Sequence, residues 1–413
     1  MRRRDFLAFT GAAALPGPRA LAAAARITRI TIAEIEGRFH KTVAMNSYDT
    51  APKGPAYSTW LLRVFTDQGV SGTGTLEYAA PDKPLLAGLR TLIGRDPLSV
   101  YVIENKRIRG VQQEYQVLLG HYHWLDSALF DLIGQMLGVP CYELLGPPVR
   151  ERIEVYDGTL YFSDVMRPEK GVRAVVEEAE EAIRSGYRGL KMKTGRNSKW
   201  VPGEPGVQRD IEAVNAVRRA IGPDAKLMAD ANNGYRGDFD SMWRFLDATR
   251  QSNLYWIEEP FPQDAALYAR LREKMQQAGM KTFIADGEDM DSAEDLRPYL
   301  NPRLIDLSQI DIRRAGFLGN REAAELGAAS GLVCVPHNWA SQIGGLMGLH
   351  LSKAVRSAIA AEDDRSGCDA IIVEGYTFRD GLYTLPGAAG LSIRVNERVY
   401  QEKYRPNEIA IAA

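Results

Sequence analysis

Apolar and polar residues alternate one by one over residues 27–36, the period of a half-buried strand. Residues 57–65 and 70–76 repeat that texture, with the turn residues Asp67-Gln68-Gly69 between them, so three runs predict an antiparallel meander. The intervening stretch, 38–57, breaks the pattern with Asn46, Asp49, Pro52 and Gly54 and reads as a long loop. Gly69, Gly72 and Gly74 are spaced like a phosphate loop, but no helix start follows, and they read as turn and strand glycines. The period then lengthens. Leu125, Leu129, Leu132, Ile133 and Met136 form one helical stripe, stopped by Gly138-Val139-Pro140. His121 and His123, just before it, read as structural imidazoles near a helix start.

Beyond Pro147-Pro148 short apolar runs alternate with amphipathic ones. The runs predict strands at 153–156, 189–193, 226–230, 254–258, 282–288, 304–311, 332–337 and 370–374. Helical stripes fit between them, as Val172, Val175, Val176, Ala179 and Ile183 show. Eight strands spaced by helices predict an α/β chain built on a (β/α)7β TIM-like barrel, residues 151–384. The N-terminal region, 26–150, predicts an α+β capping domain. The strand-like tail with Ile393 and Val395 completes it, over residues 385–413.

The strand ends carry the chemistry, because barrel enzymes keep their active sites at the C-terminal mouth. Three consecutive strands end in acid, at Asp230, Glu258 and Glu288, and predict an oxygen-ligand site for a hard divalent cation. Glu259 adjoins Glu258, and the sequence does not separate the two. Lys191 and Lys193 share one face of the second strand. Two neighbouring ammonium groups repel by up to about 4 kcal/mol at an effective dielectric of about 20. That predicts a lowered lysine pKa, suited to a base near neutrality. Asp311 and His337 end the sixth and seventh strands and predict an acid–imidazole pair. Glu374 is expected to end the eighth.

Composition changes this picture little. The net charge of −2 gives no reason to expect nucleic acid, or a membrane surface once the N-terminus is removed, so a small metabolite is the expected partner. Cys141, Cys334 and Cys368 are too few and scattered for a disulfide framework or a zinc site. Residues 1–25 read as a signal. Arg2-Arg3-Arg4-Asp5-Phe6-Leu7 opens it, an apolar run too short to span a bilayer follows, and Ala22 to Ala25 offer small residues for cleavage. The pattern resembles a twin-arginine export signal, which implies a periplasmic protein exported already folded.

Lys191-x-Lys193, Asp230-x-Asn232, Trp256-Ile257-Glu258-Glu259-Pro260, Gly287-Glu288, Asp311 and His337 together resemble the enolase superfamily, in particular its mandelate racemase subgroup. The resemblance runs over essentially the whole chain beyond the signal. It implies that Asp230, Glu258 and Glu288 bind Mg2+, with Asn232 and Glu259 supporting metal and substrate around them. It implies Lys193 as the base on one face of the substrate, tuned by Lys191. His337, paired with Asp311, would be the acid/base on the other face, and Glu374 would hydrogen-bond the developing enediolate. The activity implied is abstraction of the proton α to a carboxylate, with dehydration of a sugar acid or hydroxy acid as first expectation. A racemase or epimerase is the alternative, and a non-catalytic sugar-acid-binding protein the second. The resemblance also implies a homo-oligomer. Asp286 and Asp289 depart from the family pattern by flanking Glu288, and Phe317 by following Gly316. Within the loop at 38–57, Tyr48, Lys53 and Tyr57 are candidates for substrate contact.

Overall fold

The computed structural model describes residues 24–412. All but the last two residues of the expected signal, 1–25, lie outside the described residues. Among the described residues no helix is long and apolar enough to cross a membrane.

Eight parallel strands follow one another in chain order around a closed barrel. They are Arg152–Leu160, Gly189–Lys193, Lys226–Asp230, Trp256–Glu258, Phe283–Asp286, Leu307–Ser308, Val333–Cys334 and Ala360–Asp363. The eighth closes the ring by pairing with the first, Ala360 against Glu154 through Asp363 against Asp157. A bridge between Cys334 and Ala358 joins it to the seventh. Helices cover the outside, among them Arg173–Arg184, Glu204–Ile221 and Gln342–Ala354, and a strand rather than a helix follows the eighth barrel strand.

The expected eighth strand at 370–374 is corrected here. Ile371–Val373 pairs antiparallel with Ile393–Val395 in a two-stranded ribbon outside the barrel. Its β-branched residues read more strongly as strand than Ala360-Ala361-Glu362-Asp363. Strand propensity, however, measures fit to a half-buried surface, and a strand paired through its backbone inside a barrel does not depend on it.

Side-chain alternation sets the site in register. Met228, Trp256, Val335 and Ala360 belong to an apolar cluster with Tyr156, Ala285 and Leu307 that fills the barrel interior. Two residues farther along the same strands stand Asp230, Glu258, His337 and Glu362, all buried. One layer of apolar side chains thus becomes the floor of a polar one.

The cap is built on Ile27–Val43, Gly54–Thr66 and Ser71–Thr75, the expected meander, with the first strand seven residues longer than the alternation predicts. The loop is therefore short, residues 44–53. Ser366–Cys368 and Ile409–Ala412 also pair with Ile27–Val43. Within the expected barrel range 151–384 the chain crosses to the cap sheet after the eighth strand and then returns, Leu382–Thr384 pairing antiparallel with the start of the first barrel strand. In the tail Ile409–Ala412 pairs into the cap sheet, while the stretch with Ile393 and Val395 packs back on the cap as expected, against Ser71–Thr75, with Leu391 N donating to Asp131.

The helix Asp126–Leu137 packs on the third cap strand closely enough to exclude side chains. A Cβ on Gly72 would lie 2.1 Å from the Ala128 carbonyl, which is why glycine stands there. Asp131 accepts from the backbone N–H groups of Thr73 at 2.8 Å and Leu391 at 2.7 Å, tying cap helix, cap sheet and C-terminal segment together. Asp126 accepts from Leu318 N at 2.9 Å, just past the kink at Gly316 in the barrel helix Ile312–Ala328. Phe317 is buried in this seam and stacks on Phe130.

His350, buried on the helix Gln342–Ala354, accepts from Tyr142 N at Nδ1 (3.1 Å). Its Nε2 therefore carries the proton and donates to the Tyr376 hydroxyl at 2.6 Å, which passes a hydrogen bond to Leu391 O. Burial, helped by Lys353, lowers the imidazole to about 3. Protonation thus favours the unfolded chain, and this contribution to stability is lost as pH falls from about 6.5 toward 3. His350→Gln is expected to flatten the dependence of Tm on pH in that window, by at most about 1.4 kcal/mol per pH unit. A Tm profile as steep as that of the unmodified protein would contradict this assignment.

Candidate active site

Asp230 is the last residue of the third barrel strand and Glu258 of the fourth, while Glu288 stands two residues past the fifth. One carboxylate oxygen from each lies within 4.8 Å of the others. Asp230 and Glu258 are fully buried. Gly287, with φ 129°, lets the chain turn between Asp286 and Glu288; a Cβ there would lie 3.2 Å from the backbone nitrogens of Gln309 and Ile310. Trp256 Nε1 fixes one oxygen of Glu258 at 2.9 Å, and Asn232 N fixes Asp230 Oδ1 at 2.9 Å. Glu288 Oε2 is buried and accepts no hydrogen bond from the described residues, although His337 Nε2 lies 3.2 Å away. A cluster of hard oxygen donors with one left unsatisfied suits a small divalent cation.

The lysines of the second strand reach this cluster from one side. Lys193 Nζ lies 2.5 Å from Asp230 Oδ2, and Lys191 Nζ lies 2.8 Å from Glu258 and 2.9 Å from Glu362. His337 reaches it from the other side. Its Nδ1 is 2.6 Å from Asp311 Oδ2, which leaves Nε2 facing Glu288. Asp311 caps the helix Ile312–Ala328 by accepting from Arg313 N and Arg314 N through its other oxygen, so the imidazole is oriented by a carboxylate that is itself held. Burial works against both charges of that pair. The bond to His337 outweighs it at Asp311, lowered to about 2, and Glu288, Glu362 and Asp311 outweigh it at His337, raised to about 9.

The stretch 174–399, more than half of the chain, matches the model of the enolase C-terminal domain-like family. The chain belongs to that family. D-xylonate dehydratase of Haloferax volcanii is 26% identical over 82% of this chain and 84% of its own. D-galactarolactone cycloisomerase of Agrobacterium fabrum is 27% identical over 84% and 91%. The structure of galacturonate dehydratase from Geobacillus sp., complexed with D-galacturonate and 5-keto-4-deoxy-D-galacturonate, superposes with a TM-score of 0.81. It is 28% identical over 94% of this chain and 99% of that one. These relatives are sugar-acid dehydratases and cycloisomerases of the mandelate racemase/enolase superfamily.

Within this enolase-superfamily site two expectations are corrected. Glu374 does not reach the mouth. It lies on the protein surface, half exposed and paired with Arg394. Glu362 holds the eighth-strand position, between Lys191 and His337, with its Oε2 4.0 Å from His337 Nε2. It fits because Gly158 faces it, where a Cβ would come within 2.3 Å of Oε1. The acid after Ala360-Ala361 was the available signal, the same apolar-run-then-acid that marks the third and fourth strands. Secondly, the lysines are not depressed. Burial pulls both down, but Glu258 and Glu362 hold Lys191 well above its ordinary value, and Asp230 raises Lys193. Each ammonium meets more carboxylate than ammonium, so attraction exceeds the mutual repulsion.

Asn232 and Glu259 adjoin the triad, both with left-handed backbone (φ 41° and 43°). Asn232 Nδ2 donates to Glu259 at 3.1 Å and to Glu288 at 3.2 Å. Asp286 points away, toward the Tyr268 hydroxyl and Gln263. Tyr57 packs on Phe39 and donates to Ser366 Oγ, whereas Tyr48 donates to Glu259 at 3.3 Å. His121 and His123 are not among the clustered ligands. The three cysteines are free thiols.

Tyr78 was not singled out by the sequence. It comes from the cap, immediately beyond the third strand, and its hydroxyl donates to Asp311 Oδ2 at 2.5 Å, the same oxygen that binds His337. Tyr78→Phe is expected to lower kcat by up to about a hundredfold and change KM less than about twofold, because a bond to a charged acceptor contributes about 1.5–3 kcal/mol. Steady-state kinetics measures the split; an effect confined to KM would remove Tyr78 from the support of His337.

Proposed function

We propose that this protein is a magnesium-dependent sugar-acid dehydratase. The observation that supports it best is the placement of a lysine and a carboxylate-held imidazole at the two ends of one carboxylate triad, Lys193 on Asp230 and His337 by Glu288. Asp230, Glu258 and Glu288 would hold Mg2+, whose charge would compete with the lysines for these carboxylates and stabilise the negative charge that builds on the substrate carboxylate.

Lys193 in its neutral form takes the α proton, and the electron pair moves onto the substrate carboxylate to give an enediolate. The pull of Asp230 that holds this lysine protonated would weaken beside a cation at the triad. His337, oriented by Asp311, protonates the departing β-hydroxyl. Water leaves, and the resulting enol becomes a 2-keto-3-deoxy acid. Glu362 takes the place expected of Glu374 and with it the proposed role of hydrogen-bonding the enediolate.

Incubation with a panel of acid sugars and Mg2+ in heavy water tests this reading. Dehydration gives 2-keto-3-deoxy product. α-Deuteration with inversion and no loss of water would replace it with an epimerase, since bases at two ends of the site also permit that reaction. No exchange with any acid sugar would overturn it. Metal binding has its own readout. Equilibrium dialysis with Mn2+ is expected to find one site, weakened at least about tenfold by Glu288→Gln, because a charged ligand becomes neutral. We further propose export through the N-terminal arginine motif and assembly with further copies of the chain. Cell fractionation and light scattering test these.

A further inference from the structure

The loop at 44–53 is fastened to the barrel mouth. Ser47 Oγ donates to the carbonyls of Ala231 and Asn232 at 2.8 and 2.9 Å, and Trp200 Nε1 donates to Asn46 O at 2.7 Å. Lys199 Nζ donates to the carbonyls of Tyr48 and Asp49 at 2.9 and 2.8 Å. A loop held at so many points places its side chains definitely.

One of them is Lys53. Its Nζ stands 5.9 Å from the Tyr161 ring centre and 5.6 Å from that of Trp339, and those two rings are 5.0 Å apart. Lys193 Nζ lies 5.2 Å from the same Tyr161 ring, and Trp339 follows His337 by two residues. Lys53 therefore overlooks the space between the base and the acid, at its outer end, with 24% of its side chain exposed. A substrate carboxylate gathered at the triad would direct its far end here.

Lys53 is not an unmatched cation. Asp49 Oδ1 lies 2.9 Å from its Nζ, and the other oxygen of Asp49 accepts from Asn46 N at 2.8 Å. The nearby guanidinium of Arg313 is buried, stacked 3.9 Å over the Tyr78 ring and bonded to the Trp339 carbonyl, and so is already engaged. The outer end of the site thus offers aromatic faces and a neutral ion pair. A hydroxyl satisfies both members of such a pair, accepting from the ammonium and donating to the carboxylate. A second substrate carboxylate would meet Asp49 at close range with no spare cation to offset its desolvation.

We infer that the Lys53–Asp49 pair selects sugar acids with an uncharged, hydroxylated far end, namely monocarboxylates, over dicarboxylates of the same length. This deepens the proposed function and rests on it. The test compares kcat/KM for gluconate and galactonate with that for glucarate and galactarate, using the full chain with Mg2+. α-Deuteration in heavy water is followed in parallel. The unmodified protein is expected to favour a monoacid at least tenfold over its matching diacid. Asp49→Asn keeps an oxygen for Asn46 N while unmasking the Lys53 charge, and is expected to shift the ratio at least tenfold toward the diacid. Lys53→Met, in the Asp49→Asn background, is expected to reverse that shift. A diacid preferred by the unmodified protein, or a ratio unmoved by Asp49→Asn, overturns the inference and leaves the proposed function standing. Absence of α-deuteration with both classes overturns both.

Discussion

Lys193→Ala is expected to lower turnover by about 10²- to 10⁴-fold, the range for loss of a positioned general base. Lys193 is well placed to act on a substrate gathered at the triad, and Lys191 is no substitute. Lys191 is fully buried beneath the triad, between Glu258, Glu362 and Asp230. The same change is expected to spare metal binding. Burial alone would raise the Asp230 carboxyl, but Lys193 and Lys191 hold it at about 2. Removing Lys193 frees one oxygen of Asp230 from an ammonium and leaves the carboxylate for a cation. Dialysis with Mn2+ beside steady-state kinetics separates the two effects. Turnover retained within about tenfold would take the base role away from Lys193.

The largest expected loss of stability lies one turn farther along the chain. Arg196 is fully buried between Asp164 and Asp210, with nitrogen–oxygen distances of 2.7 Å to each. Its guanidinium also stacks on Phe162 and donates to the Lys193 carbonyl at 3.2 Å. Arg196→Met would leave Asp210 in the interior without its cation and Asp164 with only Arg209 at 3.5 Å, which costs about 3–5 kcal/mol where such a pair is broken from one side. Urea denaturation measures it, and a loss below about 1 kcal/mol would show that the site relaxes or admits water. Arg196→Met combined with Asp164→Asn and Asp210→Asn is expected to recover part of the loss, since the stranded charges go with their partner. The network also anchors the end of the strand that carries Lys193, so activity should fall with stability in the single variant.

Much of the site was legible because barrel strands repeat a simple pattern. Asp230 and Glu258 each end an apolar run, Glu288 follows the next, and Lys191 and Lys193 share a face by the two-residue period of a strand. Those signals are local. Glu362 was passed over because its only apolar neighbours along the strand are two alanines, and its place depends on pairing with residues about two hundred positions earlier. Ile371-Ile372-Val373 had the better composition and a different partner. Tyr78 was hidden for a related reason, and Lys53 stood out only as one of three candidates in its loop, without Asp49 as its partner. They belong to the cap, and nothing in their neighbourhood along the chain marks the approach of Tyr78 to Asp311 or of Lys53 to Trp339.

The order of residues is thus sufficient for the barrel, for the face each strand turns inward and for the acids at the third to fifth strand ends, because periodicity and strand-end position act over a few residues. Closure of the ring, the ionisation of the lysines and the choice of group at the outer end of the site follow from distances between segments far apart in the chain. Electrostatic and packing energies depend on those distances, and the two lysines, whose adjacency argued for repulsion, are held protonated by carboxylates that only folding brings beside them.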